Sequence, residues 1–74
     1  MELDRITIDP AIMGGRPCVR GLRFPVSRIL SMMAAGENEA TILKNHPDLE
    51  PDDLRQAIGY AAMLADDRVV TLGV

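Results

Sequence analysis

Four arginines, Arg16, Arg20, Arg23 and Arg28, lie within residues 16–28 of a chain that is acidic overall. A guanidinium presents a rigid fork of donors, which suits phosphate oxygens and carboxylates alike. On phosphate the four would form a DNA-binding surface, touching the backbone or entering a groove. On carboxylate, Arg23 or Arg28 would pair with the chain's own acids and hold the segment against the rest of the protein. The residue types alone leave both readings open.

Other chemistry has little material. The chain has one His and one Cys, and no nucleophile, base and orienting group fall together. His46 sits on the apolar side of an expected helix beside Pro47, which suits packing or capping. Cys18, between Pro17 and Val19, reads as a small core residue. The pair Asp52/Asp53 fits the positive end of a helix dipole, and Asp66/Asp67 fits a solvated helix end. Neither pair is needed as a metal site, and no phosphate-binding Gly loop is present. No catalytic residue, metal or cofactor is therefore assigned, and the chain is expected to be non-enzymatic.

The arginines ride on an unusual stretch, GGRPCVRGLRFPV, residues 14–26. Gly and Pro at that density set a backbone path rather than build a long regular element. Pro17-Cys18-Val19 and Leu22-Arg23-Phe24 read as two short strands joined at Arg20-Gly21, a small hairpin. Before it, Arg5-Ile6-Thr7-Ile8 alternates polar and apolar and reads as a short strand ended by Asp9-Pro10. The first helix starts at Val26 or Ser27, with Ser27 as N-cap, and stops at Gly36. The second runs Glu39 to Asn45, capped by Asn38 and ended by Pro47. The third opens at Glu50-Pro51-Asp52-Asp53, with Pro in the first helical position. Its apolar stripe is Leu54, Ala57, Ile58, Ala61 and Ala65. Helices two and three, joined by a short turn, have the proportions of a helix-turn-helix. Glu50, Asp52 and Asp53 at the start of the third would face phosphates in the usual docking, which opposes it.

The 74 residues make one domain: a β and Arg-rich segment over about 1–26, three helices over 27–65, and a tail over 66–74. Such a domain buries only about 60% of its unfolded surface. Its lone Cys cannot cross-link it internally, so a second subunit or a partner is the expected support. A homodimer is expected, through Gly59, Ala62 and Met63 of helix three or through the apolar tail. Charge is split: residues 1–28 carry +2 and residues 29–74 carry −5, for a net −3. The acidic start Met-Glu-Leu-Asp and the absence of an apolar run suggest a cytoplasmic protein.

Ile6-Thr7-Ile8-Asp9-Pro10, Gly14-Gly15-Arg16-Pro17, Arg20-Gly21-Leu22-Arg23, Pro25-Val26, Gly36 and the stretch from Pro47 to Leu54 resemble the domain of unknown function four-thirty-three family. The resemblance covers about residues 5–65. Leu22 and His46 depart from it, standing where a Thr and an aromatic are usual. It implies a mainly α fold: a homeodomain-like three-helix bundle containing a helix-turn-helix, with a short N-terminal β element. It also implies an antitoxin of VapB type that neutralises a PIN-like ribonuclease toxin, with binding to the operon's own DNA. Within that expectation, Arg68, Val69, Val70 and Leu72 are the candidate partner-binding residues. The apolar three would dock as an added strand or hydrophobic tail, and Arg68 would reach the nuclease carboxylates. The alternative is a dimeric DNA-binding regulator without a toxin partner.

Overall fold

Helix three begins where Pro51 removes an amide that the first turn would leave unpaired. From there α3 runs Pro51–Asp67, and the computed structural model, which describes residues 2–67, arranges the other elements on its first half. The order is β1 (Ile6–Thr7), a 3-10 turn (Met13–Gly15), β2 (Cys18–Val19), α1 (Val26–Ala34), α2 (Glu39–Asn45) and α3. The protein is thus mainly helical, with a two-stranded antiparallel sheet near its N-terminus. Ile6 pairs with Val19 and Thr7 with Cys18. No helix among the described residues is long and apolar enough to cross a membrane.

The helix ends follow local chemistry. Asn38 caps α2, its Oδ1 accepting the Thr41 amide at 2.9 Å. Gly36, at φ +94°, ends α1 in the left-handed conformation open to glycine. Its amide donates to Met33 and the Glu37 amide to Met32 (3.0 and 3.1 Å), a Schellman closure. One expected cap is different. Pro25, extended at ψ 142°, holds the N-cap position of α1, and Ser27 lies inside the first turn. The first helical amide, on Val26, donates to the Pro17 carbonyl at 2.9 Å, and no side chain caps the helix.

The hairpin is only half formed. Arg20 and Gly21 both take positive φ (+46° and +69°), as a type I′ turn requires, and the Leu22 amide donates to Val19 at 2.8 Å. The returning arm, Leu22-Arg23-Phe24, is not a strand; its Phe24 carbonyl accepts the Val19 amide at 3.1 Å, and the next residue, Pro25, makes a single bridge to Cys18. Pro25 has no amide to extend a ladder, and Phe24 is drawn into the core instead. The regular partner of Cys18–Val19 is β1.

Val19, Phe24, Val26, Ile29, Ile42, Leu49, Leu54 and Ala57 form the buried core. Phe24 meets the His46 ring edge-on at 5.2 Å, so His46 packs at the end of α2, where its backbone also forms the C-cap. Cys18 is buried. The expected α3 stripe divides: Leu54 and Ala57 are buried, whereas Ile58 is 47% exposed. Beyond Tyr60 the helix outruns the body of the domain, leaving Met63 and Leu64 48% and 39% exposed. Gly59, expected to face a second subunit, is buried within the chain itself.

Candidate functional site

Asp53 is the third residue of α3, close enough for its carboxylate to turn back to the residue that precedes the helix, Glu50. It accepts the Glu50 amide at 2.8 Å, one half of a capping box. The same carboxylate is fully buried, and burying a charge is costly unless it is paired. Arg20 supplies the pairing. Its Nε donates to both Asp53 oxygens at 3.1 and 3.2 Å, and its Nη2 donates to Oδ2 at 2.9 Å. Arg20 Nη2 also donates to the Asp48 carbonyl, gathering the α2–α3 turn into the contact. Arg5 Nη1 adds a bond to Asp53 Oδ1 at 3.2 Å and another to Glu50 at 2.6 Å.

The electrostatics follow from these contacts. Burial alone pushes the Asp53 carboxyl up, but the hydrogen bonds from Arg20, the Glu50 amide and Arg5 outweigh it and hold it below the ordinary carboxylate range. Arg5 is held more firmly protonated by Glu50 and then Asp53, and Arg20 by Asp53. Around it, Arg55 pairs with Asp52 at 2.9 Å. The N-terminal strand is tied to α3 separately. Gln56 accepts the Arg5 amide at 2.8 Å and donates to Asp4 at 2.6 Å. The acids that open α3 are therefore answered by Arg5, Arg20 and Arg55. Among the described residues no group of three or more His, Cys, Asp or Glu side chains converges as metal ligands would.

The four candidate arginines separate into different roles. Arg20 is engaged by Asp53 and locks the turn onto α3. Arg28 lies over the Phe24 ring at 4.8 Å, a cation–π contact that leaves its charge outward. Arg23 is exposed on the returning arm. Arg16 is exposed and lines a groove. Among the described residues none of Arg16, Arg23 and Arg28 forms an ion pair. Of the partner-binding candidates, Arg68, Val69, Val70 and Leu72 lie outside the described residues.

The groove was not foreseen from the sequence. It has a volume of about 710 Å³ and is walled by Val26 and Leu30 of α1 and by Tyr60, Ala61, Leu64 and Ala65 of α3. Arg16 is the one charged residue among its described lining. Val26 and Leu30, four apart, and Ala61, Leu64 and Ala65, at three- and four-residue steps, each form one helical face. That periodicity was visible; that the two faces would border an open groove was not. Arg5 was likewise missed as a site residue. The signal for Asp53 was its place two residues after Pro51, where an acid reaches the cap amide.

Comparison with known proteins accords with this arrangement. The family model described as Protein of unknown function (DUF433) matches residues 6–61. The chain is 39% identical over 56 residues to the "Uncharacterized protein y4eO" of Sinorhizobium fredii, a stretch that takes 76% of this chain and 25% of that protein. It is similar to the crystal structure of a DUF433 member protein from Anabaena variabilis, with a TM-score of 0.79 and 28% identity. That match covers 86% of this chain and 63% of the other. The chain thus spans a quarter of the length of the curated relative and less than two thirds of the solved one.

Proposed function

The chain belongs to the DUF433 family, and from that premise we propose that it is a binding protein of the antitoxin type, which docks on a PIN-like ribonuclease and keeps RNA from the enzyme's carboxylates. The observation that carries the reading is the division of α3. Its first half carries the buried Leu54 and Ala57 and the ion-paired Asp52, Asp53 and Arg55, and its second half turns Met63 and Leu64 to solvent. An exposed apolar face on a small domain suits a protein partner more than a small substrate. In this reading Val69, Val70 and Leu72 dock on the nuclease and Arg68 meets its acidic centre. Affinity capture of the tagged chain from its native lysate, with mass spectrometry, tests it. A small PIN-like nuclease in near-stoichiometric yield is the expected result, with weakened capture by Arg68→Glu. Recovery of the chain alone would overturn the reading, and unchanged capture by Arg68→Glu would remove Arg68 from it.

A second reading rests on Arg16, Arg23 and Arg28, whose charges have no carboxylate partner among the described residues. We propose for it a homeodomain-like bundle in which α2 and α3 form the helix-turn-helix of a dimeric regulator. Its phosphate contacts come from these arginines and not from the acid-capped start of α3. Arg20, held by Asp53, would position the turn. DNA association should then fall steeply with salt, and Arg23→Glu should flatten that slope. Salt-insensitive association would refute it.

A further inference from the structure

We propose that the groove between α1 and α3 seats a helical segment of the nuclease, apolar on the face it presents and carrying an acidic residue that pairs with Arg16. Such a seat presupposes the nuclease reading and adds to it the surface on which this chain receives its partner. Along α3 the residues Leu54, Ala57, Ala61 and Leu64 follow at steps of three, four and three, the spacing of a seam against a neighbouring helix. The first two are buried in the chain's own core. The second two carry the same face onward, Ala61 half-buried and Leu64 39% exposed, with Val26 and Leu30 of α1 as the opposite wall. The groove is thus a continuation of the core face that nothing among the described residues covers, and its spacing is that of a helix contact. Ala61 and Ala65, both small and one turn apart in its lining, let a helix come near.

Charge sets the rest of the occupant's chemistry. Arg16 is the one charged residue among the described lining and takes part in no ion pair among the described residues. Ser27, exposed beside it, adds a hydroxyl, and the first turn of α1 holds no acid. That end of the groove is therefore positive, and a carboxylate entering it gains a charge-assisted bond. The α3 of a second copy does not present this combination, because at 100° per residue Asp66 lies about 200° round the helix from Leu64. Its acid and its apolar residue cannot both enter. The nuclease suits the groove by position. Ala65 stands three residues before Arg68 in the sequence, and the nuclease reading gives Arg68 to the enzyme's carboxylates, so one partner reaches both.

Photo-crosslinking locates the occupant. The tagged full chain, with a photo-crosslinking amino acid in place of the exposed Ala65, is captured from its native lysate and irradiated, and the joined peptides are identified by mass spectrometry. The expected product joins residue 65 to a nuclease peptide with apolar residues at helical spacing and an Asp or Glu within a turn of them. With that nuclease purified, Arg16→Glu should raise the dissociation constant about tenfold. Ala65→Trp, which fills the groove from an exposed position, should raise it at least as much, with circular dichroism confirming that both variants fold. Reversing the charge of the crosslinked acid on the nuclease should restore binding to Arg16→Glu. A nuclease that is captured but not joined through residue 65, or that binds both variants as it binds the parent, would overturn the seat and leave the nuclease reading standing. So would a crosslink to a second copy of this chain. Capture of no nuclease would overturn both.

Discussion

Replacing Asp53 by alanine should destabilise the domain far more than its surface-like composition suggests. The carboxylate is fully buried and is bonded by four donors: Arg20 Nε, Arg20 Nη2, Arg5 Nη1 and the Glu50 amide. Loss of the cap bond alone costs about 1 kcal/mol. Breaking a wholly buried pair costs about 3–5 kcal/mol because the surviving charge is stranded. Here the stranded groups are not wholly buried: the Arg5 and Arg20 side chains keep 27% and 32% of their exposure and can turn to water. The expected loss is therefore about 2–3 kcal/mol, between those limits. A domain of this length holds only about 4–11 kcal/mol in all. The variant should accordingly unfold at a lower urea midpoint and melt about 10–20 °C below the parent. Urea titration followed at the helical circular dichroism band measures it, with Asp52→Ala as the reference for an exposed ion pair. A loss under about 0.5 kcal/mol, the scale of a surface pair, would refute the claim that this carboxylate fastens the Arg turn to α3.

The same carboxylate sets an acid limit. Its folded pKa is depressed, so the unfolded chain binds more protons; the contribution is complete above about pH 5 and is lost as pH falls through about 4 and below the folded value. Urea midpoints from pH 6 to pH 3 should drop more steeply for the parent than for Asp53→Asn, and parallel curves would contradict this. Gly21→Ala should cost about 1 kcal/mol; nothing lies within 4 Å of the added methyl, so the cost is that of φ +69° and not of a clash. Its chemical denaturation curve reads this directly. Asn38→Ala should cost about 1 kcal/mol by the same measurement, through the lost bond to the Thr41 amide.

Where a residue's fate is decided within a turn or two of itself, the sequence was sufficient. Asn38 before a helical run, Pro51 at a first helical position, Gly36 after a last one and Arg20-Gly21 at a turn all read correctly, because capping and positive φ are local demands. The apolar spacing of the third helix placed Leu54 and Ala57 inward for the same reason. Ser27 failed as a cap because the helix begins one residue earlier, with Pro25 in the N-cap position and Ser27 inside the first turn. Which anion each arginine would meet was a question of distance in space. Arg20 and Asp53 are 33 residues apart, and Arg5 and Asp53 are 48 apart. Only the packing of β2 and its turn against the start of α3 makes them neighbours. The groove was hidden for a related reason. Periodicity identifies which face of a helix is apolar, but not whether another face of the same chain reaches it, and here α3 is about 25 Å long and runs past the elements that could cover it. The helices and their caps were thus written in the sequence, whereas the buried carboxylate, the division of labour among the arginines and the open apolar face arose only when the chain closed on itself.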